Sequence, residues 1–326
     1  MPKLSIIIVN WNSGDVLREC IRSIYTSTKT DMEIIVVDNN SSDDSVAMIR
    51  REFPGVILLE KKENLGFSRG NNIGFSRSHG DFILILNPDT IILDNALDKM
   101  TEALEAHATV GILGPRIYDP DGRTIALITK SRLPHLGHDF LFIFLFDRVL
   151  RWLNRKLSKY SIYRDIFYAG FRETGYCEFI SGACMLFRRE TYKKLNGFNE
   201  TIPMYLDDID LCCRSIECGF KNLYLAQAEI IHIGRHSTKK SKKEKSLDLL
   251  LLQARLFYYR LHFGHAKVFL YKSMIVISIP YLLVLDLATL PIFIFTKRRD
   301  RILWTFVKHL KYFKIVFSDK ITETII

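Results

Sequence analysis

Short apolar runs alternate with helix-period segments through the first part of the chain, and three of the runs stop abruptly at Asn or Asp. Leu4-Ser5-Ile6-Ile7-Ile8-Val9 ends at Asn10-Trp11-Asn12, Glu33-Ile34-Ile35-Val36-Val37 ends at Asp38-Asn39-Asn40, and Phe82-Ile83-Leu84-Ile85-Leu86 ends at Asn87-Pro88-Asp89. Runs this short and this rich in Ile and Val have the composition of strands buried on both faces. A run at residues 56–59 reads the same way. Between the runs, residues 15–25 carry Val16, Leu17, Cys20, Ile21 and Ile24 at helical spacing. Residues 43–53 predict a second helix with Ser42 as its cap, and residues 64–72 lead into a third that reaches about His79. Strand and helix in alternation require crossover connections. The expected fold class is therefore α/β, with a Rossmann-like, mainly parallel central sheet flanked by helices.

In such a sheet the carboxyl ends of the strands share one rim, and ligands bind there. Asn10, Asp38 and the Asn87-Pro88-Asp89 tip would line that rim together. One Asn or Asp at a strand end reads simply as turn chemistry; three in successive units favour a nucleotide crevice. Pro88 fixes its own φ and keeps Asn87 extended, so Asp89 leaves the strand rigidly. A carboxylate held this way suits a hard divalent cation. It also fits a turn, or a cap for the helix expected near Asp94. Neither G-x-G-x-x-G nor G-x-x-x-x-G-K-[ST] occurs, which removes support for a dinucleotide-dependent oxidoreductase or a phosphate-loop enzyme.

Farther along, residues 96–106 predict a helix, 110–115 a strand, 118–123 a tight turn, and 178–187 a return to the sheet in which Gly182 permits close backbone approach. A short helix at 188–195 ends at Asn196-Gly197. Asp207, Asp208 and Asp210 then open a helix that runs to about Cys218. The helix dipole favours acids in a first turn. Three in four positions also repel one another, which favours a working carboxylate: a general base or part of a second metal site. Residues 223–226 form the expected final strand. His232 follows in an apolar run, where it reads either as a core histidine or as a metal ligand.

The net charge of +10 over 326 residues is concentrated in Lys239-Lys240-Ser241-Lys242-Lys243-Glu244-Lys245 and Lys297-Arg298-Arg299-Asp300-Arg301. Positive clusters beside apolar segments fit an anionic membrane surface, and no nucleic-acid-binding signature is present. Six cysteines without a CxxC pair imply reduced thiols in a cytosolic compartment, and a strand beginning at Leu4 implies no signal peptide. Residues 136–171 mix phenylalanines with Arg148, Arg151, Arg155 and Lys156, which fits a helix packed on the sheet or an amphipathic segment at a membrane. Residues 247–262 predict an amphipathic helix. Residues 273–296 are nearly all apolar, broken by Pro280, Asp286 and Pro291. That length can span a bilayer, but Asp286 would cost roughly 2.5–3.5 kcal/mol on insertion, so an interfacial or re-entrant element is expected. The chain thus divides into a catalytic domain at 1–237 and a helical, basic and apolar membrane-associating region at 238–326.

With these pieces in order, the chain resembles the family 2 inverting glycosyltransferases of the GT-A fold, above all the rhamnosyltransferase-like enzymes of bacterial surface-polysaccharide synthesis. The resemblance covers about residues 4–237. It rests on Val9-Asn10-Trp11-Asn12, the run from Val37 to Asp43, Asn64-Leu65-Gly66-Phe67 through Asn71-Asn72, Asn87-Pro88-Asp89, Asn196-Gly197-Phe198, Asp207-Asp208-Ile209-Asp210 and His232.

The resemblance implies a nucleotide-sugar donor, dTDP-rhamnose, and a lipid-linked oligosaccharide or polysaccharide acceptor. It implies Mg²⁺ or Mn²⁺ as cofactor and a place at the cytoplasmic face of the inner membrane, peripheral or monotopic. Assembly as a homo-oligomer is left open. Asp208 would be the catalytic base. Asp38 would bind the nucleotide base, with Asn10 and Asn64 lining its pocket and Arg69 and Asn71 on the donor side. Asn87-Pro88-Asp89 takes the place of the family's Asp-x-Asp, with Asp89 and His232 as metal ligands. Asp207, Asp210 and Arg214 fall to secondary or acceptor-side roles. The chain departs from the family pattern at Asn87, where an acid is usual, and at Asp207, where Glu is usual. Two rivals remain: a nucleotidyltransferase, which lacks here its basic glycine-rich loop after Val9, and a catalytically degenerate membrane-bound scaffold.

Overall fold

The computed structural model describes residues 2–123, 125–126, 129–143, 173–202, 206–234 and 247–294. In chain order the elements are β1 (Leu4–Asn10), α1 (Gly14–Ser27), β2 (Met32–Asp38), α2 (Ser45–Glu52), β3 (Ile57–Glu60), α3 (Gly66–Ser76), β4 (Phe82–Leu86), β5 (Thr90–Ile92), α4 (Ala96–Ala106) and β6 (Val110–Tyr118). Then follow β7 (Lys130–Ser131), α5 (Leu136–Ile143), β8 (Gly175–Cys177), β9 (Phe179–Ile180), β10 (Cys184–Arg188), α6 (Arg189–Lys194), α7 (Asp207–Glu217), β11 (Lys221–His232) and α8 (Leu247–Ile294).

A nine-stranded sheet runs in the order β3-β2-β1-β4-β10-β6-β11-β5, with β8 also on β11. Strands β1, β2, β3, β4, β6 and β11 point one way; β5, β8 and β10 point the other. The apolar runs are buried on both faces because successive side chains feed two cores. Ile6, Ile8 and Leu84 join Leu17, Ile21 and Met48 on one face. Ile7, Ile83 and Ile85 join Phe187, Tyr192 and Leu211 on the other. Helix α3 sits unusually close to β1: a Cβ on Gly74 would lie 2.4 Å from Ile7 Cγ2, and one on Gly70 would lie 2.8 Å from Val9 Cγ2. Two glycines one turn apart therefore let α3 press its flank onto the strand, which brings its N-terminal turn to the rim.

The alternation is as expected, and four local expectations change. Helix α2 begins at Ser45 with Asp44 as its cap residue, not Ser42; the Ser42 hydroxyl and backbone N–H both donate to Asn12 Oδ1 instead. Strand β6 continues through Pro115 to Tyr118. The 178–187 stretch is not one strand: β9 pairs with β7 in a separate two-stranded sheet, and only β10 joins the main one. The final strand does not end at Ala226. A register shift between Leu225 and Glu229 lets β11 run on, so His232 lies in the strand rather than after it.

The described residues fall into two compact units, the first holding those up to 133 and 173–234, the second 134–143 and 247–294. The second unit is organised by α5 and α8. Asp139 accepts a hydrogen bond from Tyr259 at 2.6 Å and pairs with Arg255 at 3.2 Å, so the buried carboxylate is matched. Helix α8 breaks at Gly264, whose φ of 76° no helix accommodates. No helix among the described residues is long and apolar enough to cross a membrane. Of the phenylalanine- and arginine-bearing stretch at 136–171 only 136–143 is described; the rest of it and both lysine- and arginine-rich runs lie outside the described residues.

Candidate active site

Strands β2, β1 and β4 are neighbours, and their carboxyl ends meet as the sequence predicts. Asn10 is the register partner of Asp38. Its Nδ2 donates to Asp38 Oδ1 at 2.7 Å and to Ser41 Oγ at 3.1 Å, while Ser41 N donates to Asp38 Oδ2 at 2.9 Å. Both Asn10 and Asp38 are buried. Asn39 Nδ2 donates to Gly66 O at 3.1 Å, which ties this corner to the start of α3. Three amide oxygens, Asn10 Oδ1, Asn39 Oδ1 and Asn71 Oδ1, are buried with no hydrogen-bond partner among the described residues. Each unmet acceptor costs about 1–3 kcal/mol unless water or a ligand supplies the donor.

The β4 tip is held from below and from the side. Thr90 Oγ1 donates to Asn87 O at 2.8 Å, Asn87 N donates to Ala183 O at 3.0 Å, and Ile233 N donates to Asp89 O at 2.9 Å. The pairing of Thr90 with His232 brings β11 alongside, and His232 Nε2 lies 3.1 Å from Asp89 Oδ1 and 3.4 Å from Asn87 Nδ2. A carboxylate oxygen and an imidazole nitrogen therefore converge on one point. The mixed O/N donor set suits Mg²⁺ or Mn²⁺. Asp89, with His232, fits a divalent cation.

The acidic cluster separates into distinct roles. Asp208 stands half-buried at the N-terminus of α7. Its Oδ2 accepts from Gly182 N at 2.9 Å and its Oδ1 from Ile209 N at 2.9 Å. Gly182 eases this approach: a Cβ there would lie 3.2 Å from Asp208 Oδ2, so the carboxylate would have to give by a few tenths of an ångström. Asp207 is buried, and Ser68 Oγ of α3 lies 3.3 Å from its Oδ2. Burial pushes both carboxyls above the usual carboxylate range; the charge of Asp208 adds to the rise at Asp207, and the N–H donors of Gly182 and Ile209 offset part of the rise at Asp208. Asp210 turns the other way. It is buried, takes Nε and Nη2 of Arg214 at 2.8 and 2.7 Å, and through Arg214 holds the carbonyls of Leu195 and Gly197. Asp210 and Arg214 thus fasten α7 to the turn after α6.

Two further predicted residues sit at the surface: Asn64 Oδ1 closes a turn onto Gly66 N at 3.0 Å, and Arg69 lies 3.8 Å from Glu200. Ser41, Asn39, Gly182 and Ser68 complete the arrangement. Of these, only Gly182 has a role of its own legible in the sequence; Asn39, Ser41 and Ser68 enter only as members of longer motifs. The others are small polar residues in or just past turns, where composition gives no sign of a special role.

Along the sheet the groups now follow one another: Asp38 on β2, Asn10 on β1, Asn87 and Asp89 on β4, then Gly182 with Asp208 just ahead of β10. Three strand spacings separate the first from the last, roughly 14 Å. A cavity of about 670 Å³ lies elsewhere, lined in part by Asn72, Phe75, Lys193 and Gly197; Arg214 borders it, and none of Asn10, Asp38, Asp89 or Asp208 does.

Several known glycosyltransferases are similar to this chain. An N-acetylglucosaminyl-diphospho-decaprenol L-rhamnosyltransferase of Mycobacterium tuberculosis is 26% identical over 246 residues, covering 72% of this chain and 77% of its own. The rhamnosyltransferase WbbL of Escherichia coli is 25% identical over 246 residues, covering 72% of this chain and 84% of its own. Among solved structures, a mannosyltransferase of Pyrobaculum calidifontis in complex with GDP-Man and Mn²⁺ superposes with a TM-score of 0.59 at 16% identity, covering 96% of this chain and 86% of that one. At that identity the likeness speaks for the GT-A fold. Residues 5–195 match the family described as glycosyl transferase family 2, and with more than half of its length inside that match the chain belongs to this family and is a glycosyltransferase.

Proposed function

We propose that the chain transfers a sugar from a nucleotide-sugar donor to a hydroxyl of a lipid-linked oligosaccharide or polysaccharide, with inversion, at the cytoplasmic face of a membrane. The donor is dTDP-rhamnose, in keeping with the rhamnosyltransferases among its relatives. The observation that carries this reading is the succession across four neighbouring strand ends: a buried acceptor-rich corner at Asp38 and Asn10, a cation-fitting tip at Asp89 and His232, and a lone base at Asp208.

The unmet amide oxygens of Asn10, Asn39 and Asn71 receive N–H and O–H donors of the nucleoside. Asp89 and His232 would hold a divalent cation, which would supply neutralisation of charge on the departing diphosphate. Asp208, fixed by Gly182 N and Ile209 N, accepts the proton of the attacking hydroxyl. General-base assistance of this kind is worth roughly 10²–10⁴-fold. One base and one displacement give inversion, and alignment of both substrates on a rigid rim supplies much of the remaining acceleration. Burial raises the proton affinity of Asp207, and the charge of Asp208 beside it raises it further.

The test is turnover of dTDP-rhamnose with a lipid-linked acceptor, with the product anomer read by NMR. The expected product has the opposite anomeric configuration to the donor. Retention, or undiminished turnover by a folded Asp208→Asn variant, overturns the mechanism.

A further inference from the structure

The second unit presents a surface that sugar transfer does not use. Past the break at Gly264, α8 exposes Ala266, Phe269, Leu270, Ile277 and Pro280, with Ser273 half-buried among them. These positions fall at i, i+3, i+4, i+7, i+11 and i+14, one face of a helix. Phe269 and Ile277 are 69% and 63% exposed, more than any other large hydrophobic side chain among the described residues. Single exposed apolar residues are ordinary; a contiguous stripe of them marks a contact surface. The opposite face, Val268, Tyr271, Ile275 and Ser278, is buried. This half of α8 is therefore apolar on two sides, one of them uncovered among the described residues.

Charge identifies what covers the stripe. Residues 249–285 contain no Asp or Glu, but carry Arg255, Arg260, Lys267 and Lys272. Arg255 is committed to Asp139. Lys267 and Lys272 lie on the two flanks of the stripe by helical spacing, and Lys267 Nζ sits 3.8 Å above the Phe263 ring, itself exposed. Long cationic side chains flanking an apolar face reach the level of lipid phosphates while the face between them meets acyl chains. A second protein would have to match a positive rim with acids; an anionic bilayer presents that charge everywhere.

We propose that residues 265–280 lie in the plane of an anionic lipid surface, with Phe269, Leu270 and Ile277 at the acyl boundary and Lys267 and Lys272 on the phosphates. This deepens, and rests on, the membrane part of the function proposed above.

The experiment is sedimentation of the full chain with vesicles of phosphatidylcholine alone and of equal parts phosphatidylcholine and phosphatidylglycerol, alongside an assay of sugar transfer to a detergent-dispersed acceptor. The wild type is expected to sediment with the mixed vesicles and far less with the neutral ones. Phe269→Ser with Ile277→Ser is expected to lower partition at least about tenfold. Lys267→Gln and Lys272→Gln should each cost about fivefold on anionic vesicles only. All four positions are outside the core, so circular dichroism and the detergent assay stay as in the wild type. A double serine variant that sediments like the wild type overturns the stripe and leaves membrane attachment to another surface. A wild type that binds neither vesicle yet transfers sugar overturns both membrane statements and leaves the glycosyltransferase standing. A wild-type dimer that the serine variant turns into monomer, with no vesicle binding by either, makes the stripe a contact between copies and overturns the proposal.

Discussion

Two adjacent carboxyls with raised proton affinity govern the chemistry at the scale of single residues. A base buried beside Asp207 must be ionised to work, so turnover should fall as pH drops through an apparent pKa well above the ordinary carboxylate range. The two titrate as a pair, and removing one charge eases ionisation of the other. Asp207→Asn should therefore move the acid limb of the kcat/KM profile to lower pH while leaving activity at high pH. The same variant bears on stability. A carboxyl whose affinity for protons is higher in the folded state loses stability for the fold as pH rises from its unfolded value through its folded value. Asp207→Asn removes that loss, so it should melt higher than the wild type at neutral pH and no higher in acid. Asp208→Asn should lower kcat by roughly 10²–10⁴-fold with an unchanged circular dichroism spectrum; a loss of less than tenfold would move the base elsewhere.

At the scale of elements, what holds the rim in place is close packing of α3 and the anchoring of α7. Gly74→Ala puts a methyl 2.4 Å from Ile7 Cγ2, within a core already filled from both sides. Overpacking of this kind costs about 1–3 kcal/mol, read as a lower denaturation midpoint. Asp210→Asn leaves Arg214 without its ion pair and should cost about 1.5–3 kcal/mol with little change in pH profile, since Asp210 faces the turn after α6 and not Asp208. The β1, β2 and β4 strands were legible in the sequence because strands covered on both faces read as unbroken apolar runs, and their polar ends placed Asn10, Asp38 and Asp89 on one rim. Strand β11 was not, because Gln227 and Glu229 look like the end of a strand, whereas a register shift carries the ladder past them to His232. Asp207, Asp208 and Asp210 were visible as a cluster, but their separate tasks depend on which partners lie across the chain: Ser68, the Gly182 backbone and Arg214. No local spacing encodes those partners.

At the scale of the whole molecule, ligand binding and folding are linked, because a rim built from four strand ends exists only in the folded sheet. A ligand that binds the native state alone stabilises it by RT ln(1 + [L]/Kd), about 2.7 kcal/mol at a hundredfold excess over Kd. Nucleoside diphosphate and Mn²⁺ should therefore raise the melting temperature in two separable increments. Asp38→Asn keeps an acceptor for Asn10 Nδ2 while altering the nucleoside corner, so it should shrink the nucleotide increment and spare the metal's share. The pair Asp89→Ala with His232→Ala removes both converging donors and should abolish the Mn²⁺ increment while nucleotide alone still stabilises. If Mn²⁺ raised the melting temperature of this double variant as much as that of the wild type, the cation would be held by other groups. The Asp89–His232 contact would then be an ordinary hydrogen bond between the turn after β4 and strand β11, and the polarity of the rim would have to be explained by the nucleotide alone.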